Sequence, residues 1–191
     1  MSKGGRELSH RWRTAVFSAL AAGFLVAFGL TGSTTPVLAQ DDAQATQGQV
    51  LYQGKGECRK CHGWRGDGNG LEHFYGANLR ETFLDREGLA ETIMCGRPGT
   101  IMPFHDALAY TEHSCYGMLK PDLAAASLTV DQAAGTLQEH EIDAIIDFLF
   151  ARVIDKGPRP TMEDCVFYWG NPNSQMCRFL QFEINQAGGG A

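Results

Sequence analysis

Hydrophobic positions are arranged along the chain in three ways. The first is an unbroken apolar run, Ala15 to Leu30, preceded by Lys3, Arg6, Arg11 and Arg13 with a single Glu7. TGSTTPVLA follows, with the small residues Val37 and Ala39 at the minus-three and minus-one positions of a cleavage site. Basic, apolar and small-residue segments in that order make a secretory signal, so residues 1–39 are read as a signal peptide removed after Ala39. The run has 16 residues, short of the ~20 that span a bilayer; an uncleaved anchor is the alternative. Arg11-Trp12-Arg13 is not a twin-arginine pair, which leaves general export.

The second arrangement is helical. Ile142, Ile145, Ile146, Leu149 and Val153 recur at helical spacing, with Glu139, Asp143, Asp147 and Arg152 on the other face. Thr136-Leu-Gln-Glu139 reads as a capping box opening this helix, and Gly157-Pro158 as its stop. A shorter helix is predicted from Asp85, with Leu89, Ile93 and Gly96 on one face and Met94 turned elsewhere as core filler. The third arrangement is glycine-rich: His62-Gly-Trp-Arg-Gly-Asp-Gly-Asn-Gly70, a loop suited to close backbone approach.

A chain of 191 residues, 43% hydrophobic and 20% charged, allows one domain or two small ones. It excludes collagen, coiled coil, full disorder and a multi-span membrane protein. Loss of residues 1–39 removes four bases and one acid, leaving 12 bases and 21 acids and a net charge of −9. Such a chain does not suit a polyanionic nucleic acid. No second run approaches membrane length, so no stable membrane insertion is expected after cleavage. All six cysteines belong to the mature part, in an oxidising compartment where spare thiols pair.

Cys58-Arg59-Lys60-Cys61-His62 is C-x-x-C-H. Two thiols three residues apart on one helical turn reach the two vinyl groups of a haem, and the adjacent histidine supplies a nitrogen to its iron. A thioredoxin-like redox pair would not need the histidine. A zinc site would need a second pair of ligands at matching spacing, and none exists. One covalent haem c is therefore expected. With Gly48-Gln-Val-Leu-Tyr before the motif and the glycine loop after it, the chain resembles the class I monohaem cytochromes c of bacteria, from about Gln47 to Ile154. The resemblance implies an all-α fold wrapped on the haem, with the closing helix crossing the N-terminal helix near Gly48.

The resemblance also bears on the sixth iron ligand. Gly99-Thr-Ile-Met102-Pro-Phe looks like the family's methionine loop, in which proline fixes the backbone beside the sulfur. Met102 is the expected ligand, Met118 the runner-up, and His105 or His73 the route to a bis-histidine iron. In the family a proline carbonyl accepts the proximal histidine's other N–H. Here Gly76-Ala77-Asn78-Leu79 carries alanine, which keeps the carbonyl but not the rigid ring.

Two segments exceed the family's minimal fold: an insertion, about 106–135, within the 40–155 domain, and an extension, 156–191. Of the three pairings open to the other four cysteines, Cys95–Cys115 and Cys165–Cys177 are favoured, with cross-pairing of tail to insertion as the alternative. The first closes a loop holding Met102; the second is expected to close a hairpin carrying Phe167, Tyr168 and Trp169. These aromatics either pack on the body or form a docking patch. The terminal AGGGA is read as too glycine-rich to order.

The function expected is a periplasmic carrier of single electrons, not an enzyme, with a dehydrogenase or bc-type donor and an oxidase or other acceptor. The basic cluster Lys55, Arg59, Lys60 and Arg65 is either a solvated face or a steering patch. Alternatives are a dedicated haem subunit of a periplasmic dehydrogenase, and a haem enzyme or gas sensor with an open iron position.

Overall fold

A computed structural model of the chain describes residues 37–71 and 74–188. Residues 1–36 of the expected signal peptide, His73 and the last three residues lie outside the described residues. Among those described the chain is mostly helical. The elements are α1 (Val37–Gln53), α2 (Arg59–His62), a 3-10 turn (Leu79–Glu81), α3 (Arg86–Cys95), α4 (Lys120–Ala125), α5 (Glu139–Arg152), α6 (Met162–Trp169) and α7 (Gln175–Gly188). Extended segments among them meet only in isolated bridges, such as Phe104 with Gln132. The all-α expectation holds at this level.

The frame is the crossing of α1 and α5. Helix α1 buries Ala45, Gly48, Gln49 and Tyr52, one face at i, i+3, i+4 and i+7. Helix α5 buries Ile142, Ile145, Ile146 and Leu149 from its apolar stripe. The two backbones meet at Gly48, where a Cβ would lie 1.8 Å from the Ala144 carbonyl oxygen and 2.8 Å from the Phe148 Cβ. Only a residue without a side chain fits there. Helix α3 starts where expected, with the Asp85 side chain accepting from the Gly88 N–H, and adds Leu89 and Ile93 to the same core.

Both ends of α5 differ from the sequence reading. Its N-cap is Gln138, not Thr136, and the capping box runs from Gln138 to Glu141. The reason is Leu137, which is buried while its N–H donates to the His105 carbonyl, holding the chain extended for two further residues. Leu137 and Ile142 then flank the cap in one core, the arrangement of a hydrophobic staple. The helix stops at Arg152, ahead of Gly157-Pro158. Val153 and Ile154 both donate to the Leu149 carbonyl and turn into the core, and Asp155 takes a left-handed φ of 57°.

The insertion builds a core of its own from Cys95, Ala109, Tyr110, Cys115 and Leu123. The extension is a pair of helices, where a simple hairpin was expected. Thr161 and Asp164 form the capping box of α6, and Gly170 closes it in the left-handed region. Cys165 and Cys177 join α6 to α7. The aromatic run packs on the body: Tyr168 is buried, Phe167 stacks on Phe148, and Trp64 meets both Tyr168 and Trp169. Helix α7 reaches Gly188, so the first two residues of AGGGA are helical and the rest lies outside the described residues. No helix among the described residues is long and apolar enough to cross a membrane. The two disulfides are compatible with an exported protein.

Candidate functional site

The C-x-x-C-H motif is set by the turn before it. Helix α1 ends at Gln53; Gly54 and Gly56 donate back to Val50 and Leu51, and Glu57 takes a φ of 50°. The chain re-enters helix at once. The His62 N–H donates to the Cys58 carbonyl at 2.9 Å, so Cys58, Cys61 and His62 share a single turn. Gly63, at φ 71°, ends it. The glycine loop then folds back over α2: Gly68 donates to His62 O, Leu71 to Lys60 O and Gly76 to Cys61 O. Tyr52, buried in α1, donates its hydroxyl to the Gly63 carbonyl at 2.8 Å and ties the loop to the helix crossing.

Cys58, Cys61, His62 and Met102 line one cavity of about 630 Å³, within the range of small-molecule and cofactor sites. Its apolar wall includes Leu79, Leu89, Ile93, Ile145 and Leu149. Cys58 and Cys61 are free thiols, whereas the other four cysteines are paired. Burial pushes the Cys58 thiol up to about 12. A thiol held protonated in this way is a poor match for a redox-active pair, which needs a lowered value.

The His62 ring is oriented by its backbone. Its Nδ1 lies 2.9 Å from the Ala77 carbonyl oxygen. A carbonyl only accepts, so Nδ1 carries the proton and Nε2 keeps its lone pair. Burial also lowers the imidazole's pKa, which favours the neutral, ligating form. Gly76 permits the approach, because a Cβ there would meet Nδ1 at 2.8 Å. Ala77 thus supplies the carbonyl for this hydrogen bond without a proline ring.

Met102 sits on a loop held at both ends. Gly96, at φ 63°, passes so close to Met102 O and Pro103 C that a Cβ would clash at 2.7 and 2.6 Å. The Arg97 N–H donates to Met102 O, and the Thr100 hydroxyl oxygen accepts from Met102 N. The returning extended segment of the insertion braces the outside: Gly99 donates to Thr129 O, Phe104 to Asp131 O, and Ala133 to Phe104 O. The Cys95–Cys115 disulfide closes the base of the loop, where Tyr110 and Tyr116 donate their hydroxyls to Cys95 O and Gly96 O. Met118, the runner-up ligand, packs in the insertion's core, and Met94 bridges the two cores as the filler it was expected to be. His105 does line the cavity, buried, with Nδ1 3.1 Å from Gly135 O.

The four basic residues do not form an open patch. Lys55 pairs with Glu141, Lys60 with Glu57 and Arg65 with Glu183, while the Arg59 guanidinium lies over the Trp169 ring. Carboxylates of α5 and α7 reach the cluster from elements distant in sequence. At the cavity, the apolar Phe83, Tyr75 and Ile101 stand largely open to solvent beside the exposed charged residues Lys55, Glu57, Lys60, Glu81 and Arg97. Sequence reasoning passed over two contributors. Tyr52 carried a signal, as the aromatic of the apolar stretch before the motif. Gly135 carried none that is local, yet a Cβ there would meet Lys55 O at 2.3 Å, so the insertion packs directly on the approach to Cys58.

Comparison with protein-family models, curated proteins and solved structures gives no match.

Proposed function

We propose that the protein is a class I-type monohaem cytochrome c, exported to the periplasm, that carries single electrons between redox partners. The observation that carries this reading is one cavity lined by two free thiols at C-x-x-C-H spacing, by a His62 whose Nδ1–H is committed to Ala77, and by Met102. The donor set fits haem c: thiols for the two thioethers, a neutral imidazole nitrogen and a thioether sulfur for the iron, and apolar walls for the ring. When bound, the haem supplies a one-electron ferric–ferrous couple.

The remaining work belongs to the chain. Cys58 and Cys61 fix the ring's position. Ala77 fixes the imidazole plane, and through Nδ1 tunes how strongly Nε2 donates. Gly96, Arg97 and the insertion hold Met102 in one place, so ligation need not change between oxidation states. Leu79, Ile93, Ile145 and Leu149 exclude water. The class I fold is supported by the α1–α5 crossing at Gly48 beside the cavity. The exposed Phe179 and Phe182 of α7 favour a second reading, a haem subunit held in a periplasmic dehydrogenase complex.

The test is the mass and pyridine-haemochrome spectrum of protein matured with the haem-attachment machinery. One covalent haem is expected, lost in Cys58→Ala/Cys61→Ala. Chain that matures without covalent haem contradicts the proposal.

A further inference from the structure

Arg80 is the most deeply buried charged side chain described, 4% exposed. All four of its guanidinium acceptors are backbone carbonyls. Nε donates to Gly157 O at 2.7 Å; Nη1 donates to Arg65 O, and Nη2 to Lys156 O and Arg159 O, each at 3.2 Å. A desolvated cation is costly unless its donors are satisfied, and a planar fork is suited to several fixed acceptors at once. Three of these carbonyls belong to the first residues of the extension, and the fourth to the glycine loop.

The segment that carries Arg80 also carries Ala77. Between them, Asn78 accepts the Arg80 N–H and Leu79 donates to Gly66 O at 2.7 Å. Ala77 itself is exposed and has an unrestricted backbone, although its carbonyl is the one that orients His62. Rigidity must come from the neighbouring residues, and Arg80 is the neighbour with the most ties.

We propose that Arg80 is a positioning residue: it clamps the extension to the glycine loop, and thereby holds the Ala77 carbonyl on the His62 Nδ1–H. This rests on the reading of His62 as the proximal ligand. It also gives the extension a role inside the molecule. The extension is not held by Arg80 alone, since Glu183 pairs with Arg65 and the Gln49 amide donates to Tyr168 O. Loss of the clamp should therefore loosen the Ala77 segment without detaching α6 and α7.

The experiment uses haem-loaded full-length mature protein: wild type, Arg80→Ala, Arg80→Lys, and Arg80→Ala with Ala77→Pro. Two quantities are read, the solvent exchange of the His62 Nδ1 proton by NMR and the midpoint potential. Arg80→Ala should speed exchange about tenfold or more, as expected for a locally freed segment. It should also raise the potential, because a weaker hydrogen bond makes the imidazole a poorer donor to ferric iron. Lysine keeps the charge but not the fork, so Arg80→Lys should move both quantities the same way; it serves as the variant if alanine does not fold. Ala77→Pro restricts the backbone directly and should return both toward wild type. A merely structural arginine would lower stability with no such rescue. Unchanged exchange and potential in the arginine variants, or failure of the proline to restore them, overturns the clamp alone. A wild-type protein in which His62 does not ligate the iron overturns the clamp together with the reading beneath it.

Discussion

Gly76, Gly96 and Gly135 each lie where a single Cβ would collide with the site: with His62 Nδ1, with the Met102 carbonyl and with the Lys55 carbonyl. Gly76 and Gly96 flank residues already marked by motif, so their importance was legible beside C-x-x-C-H and the methionine loop. Gly135 was not, because its neighbour is 80 positions away in the chain. The same distance hid Arg80, whose acceptors beyond Arg65 are carbonyls of the extension. Cysteine spacing was more informative. Cys95 and Cys115 are joined across a separation of 20 residues, with Met102 inside the loop. A crosslink of that span contributes about 3 kcal/mol in the loop-entropy model. Replacing both cysteines by serine is predicted to lower unfolding free energy by about that amount, measured by denaturant titration. A loss within error of zero would mean that the insertion's own core holds the loop unaided.

Among elements, the strongly periodic helices were readable and the extension was not. The stripe of α5 and the cap of α3 are local signals. Thr161-Met-Glu-Asp164 was an equally local signal for α6, overshadowed by the aromatic run after it. Helix α7 also segregates apolar from polar positions at helical spacing, but only Cys177 and Leu180 are buried, while Phe179 and Phe182 face solvent. The α5 boundary moved because a tertiary contact, Leu137 with His105, overrides a good capping sequence. The α1–α5 crossing gives the sharpest test at this scale. Gly48→Ala places a methyl against backbone that cannot rotate away, and should cost about 3 kcal/mol or more, the upper end of overpacking. Equilibrium unfolding measures it; a loss below about 1 kcal/mol would mean that the helices can separate cheaply.

Across the whole molecule, charge joins elements that hydrophobic packing alone would leave adjustable. Lys55, just before the C-x-x-C-H motif, pairs with Glu141 at the start of α5, and Glu141 also accepts from the Gln138 N–H. The Lys55 side chain, then the backbone bond, hold the Glu141 carboxyl below its ordinary value near 4.5. A lowered folded-state pKa stabilises above the unfolded value and loses that contribution as pH falls through the folded value. Glu141→Gln should therefore be less stable than wild type by roughly 1 kcal/mol near neutral pH, as for a cap and an exposed ion pair. The difference should vanish in acid below the carboxylate range. A gap that persists there would assign the loss to packing. The basic cluster teaches the same lesson at larger range: four bases that read as one patch are divided among partners on α5, α6, α7 and the turn before the motif.

Residues brought from α2, the glycine loop and the braced methionine loop are proposed to hold one iron between His62 and Met102. The most direct test of this ligation is the far-red spectrum of the ferric haem-loaded protein beside Met102→Ala. A low-spin spectrum with a methionine-to-iron charge-transfer band is expected, the band being absent in the variant. A high-spin wild type without that band would contradict this ligation and open the iron to ligand chemistry, and a low-spin wild type without it would contradict Met102 in favour of His105.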